Sequence, residues 1–268
     1  MDRRRFLAGT GVAVGVAGCL GGDSAERPFP DADWRSDDGL DAATLAERHA
    51  DALVAAGGAT LFSTAATSHD GDETPTPWLP SQEYEAAYDL ENGRQYVRQA
   101  VTESDEPDVS ELYVADGVAL IRRETGDGTR YGRQSTDRSA SELESAMRAE
   151  VVTGVRVESE TANGETAYEG LNLWNPTSAG EGELRGEPTA RFTADTFEGD
   201  RNVPETVETA SATVHVYESG VVPRLEQSWT GQHDGQGATV DVDIDYRDLG
   251  ATVAEPGWVE TAREETSA

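Results

Sequence analysis

The chain has 268 residues, 52 of them acidic and 21 basic, no lysine among them, and a formal charge of −31. With no basic patch to neutralise phosphates, nucleic acid is argued against as a partner, and a single cysteine, Cys19, rules out an intrachain disulfide. Such a charge repels itself in dilute buffer, whereas at molar salt the screening length shrinks to about 3 Å.

The first feature in chain order is Arg3-Arg4-Arg5-Phe6-Leu7, followed by a run of small apolar residues to Gly18. The arginines with Phe6 and Leu7 resemble a twin-arginine export signal. The run is far shorter than the ~20 residues a helix needs to cross a bilayer, so it reads as a signal h-region. Val16-Ala17-Gly18-Cys19 resembles a lipobox, whose cysteine is lipidated on sulfur and becomes the first residue of the mature protein. Residues 1–18 are therefore expected to be a signal peptide, and Cys19 the lipidation site on the extracytoplasmic face of the membrane. Removing the signal leaves 51 acidic and 18 basic residues, a formal charge of −33. Residues 19–39, with Gly21-Gly22, Pro28, Pro30 and five aspartates, read as an acidic flexible tether. Trp34 is the one residue there suited to dock back onto a domain.

Asp41 can cap a helix to Ala56 that Gly57-Gly58 ends, with Leu45, His49 and Leu53 on one face. The period then shortens. Strands are expected at Leu61 to Thr67, around Tyr84 to Tyr88, and at Arg94 to Val101. Glu111 to Ala115 and Val118 to Arg123 flank the hairpin signal Asp116-Gly117. Gly126 to Gly128 leads into Tyr131 to Gln134. A second helix, Ser139 to Ala149, carries Leu143 and Met147 on one face. Strand signals resume at Val152 to Ser159 and at Thr166 to Trp174, with a polar loop over 176–187. Further strands are expected at Thr189 to Phe197, Ala212 to Tyr217, Val222 to Trp229 and Ala238 to Tyr246. A short segment, Ala251 to Val259, precedes a tail over 261–268 expected to be disordered. Antiparallel hairpins in two groups, each led by a helix, predict an α+β, mainly antiparallel β, domain over 40–260.

The lipobox, the helix Leu40 to Ala56 and the hairpin Leu112 to Gly117 together resemble the LolA-like superfamily, as do Val214 to Leu225 and Tyr246 to Gly250. That superfamily includes the LolA and LolB carriers and the mycobacterial lipoproteins LppX and LprG. The resemblance, nearest to haloarchaeal lipoproteins, covers roughly residues 40–259 and rests on pattern, with no invariant motif. It implies a curved sheet or half-barrel with two helices packed on its concave face. It also implies acyl chains held between sheet and helices, and no catalytic residue to carry over. The acidic, lysine-free composition resembles that of halophile proteins.

Candidate sites are few. Asp241, Asp243 and Asp245 share one strand face by their period of two. Hard cations want several carboxylate oxygens, but a half-buried strand has this pattern too. His49, His69, His215 and His233 fall in four separate elements with no metal-ligand pair. There is no G-x-S-x-G, no G-x-G-x-x-G and no Walker pattern, so no catalytic residue, metal site or cofactor is expected. The aromatics fall mostly on strands, where core packing and a ligand cavity would draw on the same residues. The cavity implied by the resemblance would be lined by Leu45, His49 and Leu53 of the helix, facing Leu61, Tyr96, Tyr113 and Leu120 of the sheet. The expected protein is an exported, lipid-anchored surface module and not an enzyme. It would contact the membrane through the lipid on Cys19 and take an apolar or lipid ligand or a surface protein partner. The alternative is a structural or interaction lipoprotein with a filled core and no ligand.

Overall fold

The computed structural model describes residues 28–36, 39–74, 80–103, 106–136, 138–155, 159–160, 166–167, 177–195 and 205–267. In chain order the elements are α1 (Ala42–Ala55), β1 (Thr60–His69), β2 (Gln82–Asp89), β3 (Arg94–Val101), β4 (Asp108–Ala115), β5 (Val118–Thr125), β6 (Gly128–Ser135), α2 (Ala140–Val155), β7 (Ser159–Glu160), β8 (Thr166–Ala167), β9 (Thr177–Leu184), β10 (Glu187–Ala194), β11 (Thr206–Val216), β12 (Arg224–His233), β13 (Gln236–Arg247) and α3 (Val259–Glu265). Eleven strands form one open antiparallel sheet in the order β6-β5-β4-β3-β2-β1-β13-β12-β11-β10-β9. The architecture is therefore the expected α+β one, and β1 joins the two hairpin groups by pairing with both β2 and β13.

Local chemistry accounts for most boundaries. The Asp41 side chain accepts a hydrogen bond from the Thr44 N–H at 3.0 Å and so caps α1. At the other end, the N–H groups of Gly57 and Gly58 bond back to Val54 and Leu53. Gly58 has φ +134°, and a Cβ there would lie 1.9 Å from the Tyr88 carbonyl oxygen, so only glycine fits. Ser139 and Glu142 form a reciprocal capping box at the start of α2. Asp116-Gly117, Arg185-Gly186 and Asp234-Gly235 all have positive φ at both positions, the geometry that joins twisted antiparallel strands by two residues.

Strand register sorts the side chains onto two faces. One carries Leu61, Ala86, Tyr246, Leu225, Val214 and Phe192, and α1 and α2 pack there through Leu45, Leu53, Leu143 and Met147. The opposite face carries Tyr113, Ala115 and Leu120, covered by Val253, Val259 and Ala262 of the C-terminal segment. A helix on this second face was not expected.

Several expectations need correction. Residues 261–265 are helical rather than a disordered tail, because Val259 and Ala262 are buried against the sheet. The short segment from Ala251 runs irregularly into α3 at Val259. The polar loop over 176–187 is instead β9, its turn and the start of β10. Its glycines hide the strand pattern, and β9 forms as an edge whose one neighbouring strand is β10. Val152 to Val155 extend α2 rather than starting a strand. Tyr168, Trp174 and the turn Asn163-Gly164 lie outside the described residues.

The tether also ends earlier than expected. Trp34 is 1% exposed and packs edge-to-face on Phe192, with ring centroids 6.1 Å apart. Its indole N–H donates to the Glu218 carbonyl at 3.4 Å. Arg35 pairs with Leu40 and Gly39 with Thr177 as isolated β-bridges, while Arg48 holds Asp33 by an ion pair. Residues 28–36 therefore belong to the folded domain.

Candidate functional site

Leu45, His49 and Leu53 recur along α1 at helical spacing, and all three are fully buried against the sheet. His49 Nδ1 accepts the Val222 N–H at 3.2 Å, which leaves the ring proton on Nε2, where it has no hydrogen-bond partner. The His49 and Tyr246 rings meet edge-to-face at 4.3 Å. Burial lowers the pKa of His49 from 6.5 to about 3, so the ring is neutral at ordinary pH.

Of the seven residues expected to line one cavity, the structure brings together Leu45, His49, Leu53 and Leu61. Tyr96, Tyr113 and Leu120 lie on the opposite face of the sheet, because each is offset by one residue from the inward row. The residues that do face α1 and α2 include Tyr88, Val222 and Tyr246. Hydropathy could not sort the two faces at Tyr113, since β4 reads Leu112-Tyr113-Val114-Ala115 with no polar alternate. Beneath α1 the space is filled, not open.

Farther along the same face the cover thins. Register aligns Tyr246, Leu61, Ala86, Val97, Leu112 and Ile121 in one row across six strands. Tyr246 and Ala86 are buried, Val97 and Leu112 half-buried, and Ile121 is 38% exposed. The next position in the row is Gly132, whose missing side chain leaves Ile121 without a neighbour on that side. The row forms an apolar strip that runs from the core to the surface.

The opposite face differs in chemistry. At β4 and β5, Glu111 accepts hydrogen bonds from Tyr96 Oη at 2.7 Å and Trp258 Nε1 at 3.1 Å, and pairs with Arg122. Burial raises the Glu111 pKa, but these donors outweigh it and hold the group below the ordinary carboxylate range. Asp89 likewise binds Asn92 and the Val253 N–H, so two buried carboxylates pin the C-terminal segment to the sheet. At β11 to β13 there is a polar depression of about 380 Å³ lined by Thr64, Ser211, Thr213, Ser228, Asp241 and Asp243. Asp243 pairs with Arg224, and Asp245 with Arg185 and Arg247. Asp243 and Asp245 are thus held in ion pairs, on the face that Asp241 shares. Among the described residues, no three of His, Cys, Asp and Glu gather to hold a metal ion.

Cys19, Arg3, Arg4, Arg5, Phe6 and Leu7 lie outside the described residues. Among the described residues, no helix is long and apolar enough to cross a membrane.

A family of unknown function, DUF7537, matches residues 10–262. The chain belongs to that family. No curated protein matches it. Among solved structures, this family member is similar to the Mycobacterium tuberculosis lipoprotein LppX, at 16% identity over 80% of this chain and 98% of that one, with a TM-score of 0.36. It is also similar to a LolA superfamily protein from Nitrosomonas europaea, at 11% identity over 78% and 94% of the two chains, with a TM-score of 0.23.

Proposed function

We propose that the protein is an exported, lipid-anchored binding module that holds an apolar chain along the helix face of its sheet. The observation that carries this reading is the row from Leu61 to Ile121, which passes from full burial to open surface without a charged side chain. An acyl chain laid there would bury apolar area at about 25 cal/mol per Å² and would require no charged contact. The acidic exterior could remain hydrated meanwhile, as a halophile's surface would. The reading is of a binder rather than an enzyme.

Native mass spectrometry with lipid extraction, on protein purified from its own cells, tests the ligand. Wild-type protein is expected to carry an extractable apolar molecule. Ile121→Asp should release most of it without unfolding the domain, because residue 121 is already partly in water. A ligand-free wild type would sink the proposal.

The same reading places the anchor on Cys19. Cys19→Ser should yield exported protein that no longer fractionates with membranes, and replacement of Arg3, Arg4 and Arg5 by lysine should block export. Retention of the Cys19→Ser protein in the membrane fraction would overturn the anchor.

One observation favours a second reading, a structural or interaction lipoprotein with no ligand. The space beneath α1 is occupied by His49, Tyr246, Leu45 and Leu53. On that reading the apolar row is a contact surface for a partner at the cell surface.

A further inference from the structure

On the face of the sheet away from α1, α3 leaves a cleft of about 320 Å³ between its last turn and β4 to β6. Register explains its floor. Tyr113, Leu120 and Arg133 stand in one row across the three strands, and Ala115 and Val118 in the next. The outer wall is Arg263 and Ser267, one helical turn apart. Val259 and Ala262 fill the rest of the space beneath α3.

Two polar groups in this cleft are unspent. Tyr113 is 2% exposed and lines the cleft, yet its hydroxyl has no hydrogen-bond partner among the described residues. Arg133 is exposed at the rim and pairs with no carboxylate among them, although the chain has 52 acids to offer. Arg263, by contrast, is committed to Glu255 through two bonds of 2.9 and 2.7 Å. Asp116 is the one carboxylate in the lining. The cleft therefore combines an apolar floor, a buried phenol free to donate and a guanidinium free to take a carboxylate by two parallel hydrogen bonds.

We propose that this cleft is a binding site for a small amphipathic carboxylate, its apolar tail on Leu120, Val118 and Ala115 and its head on Arg133 and the Tyr113 hydroxyl. The volume is at the lower end of ligand pockets, about 300 to 1,000 Å³, which suits a medium-length chain rather than a two-tailed lipid. The site is distinct from the apolar strip of the helix face: the sheet lies between them, and the strip has no cation. Trp258 stacks on Tyr131 at 6.4 Å beside Tyr113 and Leu120, and supplies an optical reporter of occupancy.

Octanoate is the test ligand, titrated into the full-length protein at fixed KCl and followed by tryptophan fluorescence and calorimetry. One molecule is expected to bind per chain. Octylamine, with the same tail and opposite charge, should bind at least about tenfold more weakly. Arg133→Gln should weaken octanoate by about tenfold or more with an unchanged circular dichroism spectrum, since Arg133 is exposed. Tyr113→Phe should weaken it less. Ile121→Asp should leave octanoate binding intact, which separates this site from the helix-face strip. Equal affinity for octanoate and octylamine, an Arg133→Gln protein that binds as wild type does, or no binding up to about 10 mM would each overturn the proposal.

Discussion

Trp34→Ala is expected to lower the unfolding free energy by about 3–5 kcal/mol, the range for removing a large buried aromatic side chain. Trp34 is among the largest fully buried side chains and sits between Phe29, Phe192, Leu45 and Val216. Its loss leaves a cavity that backbone pairing at Arg35 and Gly39 holds open, and it strands the Glu218 carbonyl. Trp34→Phe keeps an edge-to-face contact with Phe192 and should cost only about 1–2 kcal/mol. Urea denaturation at fixed KCl measures both. A Trp34→Ala protein within about 1 kcal/mol of wild type would mean that residues 28–36 are a loose strap and no part of the core.

The second large effect is on acid stability. His49 has its pKa lowered by burial from 6.5 to about 3 in the folded chain. Between those values the unfolded chain binds a proton that the folded one refuses, so stability falls as pH drops through 6.5 and keeps falling toward 3. By pH 5 the loss from this residue alone should be about 2 kcal/mol relative to pH 8. Many carboxylates titrate as well, and the comparison must therefore be with His49→Asn, whose Oδ1 can take the Val222 N–H in place of Nδ1. The variant should start less stable at pH 8, because it packs less well against Tyr246, and lose less on acidification. Parallel curves for the two proteins would show that His49 does not resist protonation in the fold.

The parts of the fold that could be read in advance share a physical cause. Asp41, Gly57-Gly58 and Asp116-Gly117 bound elements through local backbone chemistry, and there the expected α1, β4 and β5 match the structure within a few residues. Arg94 to Val101 is a strand at both ends as expected. Where the structure departs, non-local pairing decides. β9 has little strand character of its own and exists because β10 offers it an edge. α3 is only seven residues, and its burial against Tyr113 and Leu120 is invisible along the chain. The cavity assignment failed for a related reason. β4 and β5 are apolar on both sides, with Leu112 and Ile121 on one and Tyr113 and Leu120 on the other. No hydropathy pattern states which side meets a helix.

On the proposed anchoring at Cys19, the docking of Trp34 limits how far the folded domain can stand from the membrane. Trp34 lies fifteen residues beyond Cys19, a span of at most about 50 Å even fully extended. A tether free as far as residue 39 would have reached about 70 Å. The docked Trp34 would thus be kept within about 50 Å of the lipid surface. The β9 to β11 edge beside Trp34 would be turned toward the headgroups, and the β6 edge, with the apolar strip and the cleft under α3, toward the medium. The far edge is then where ligands or partners arriving from outside would first meet the protein.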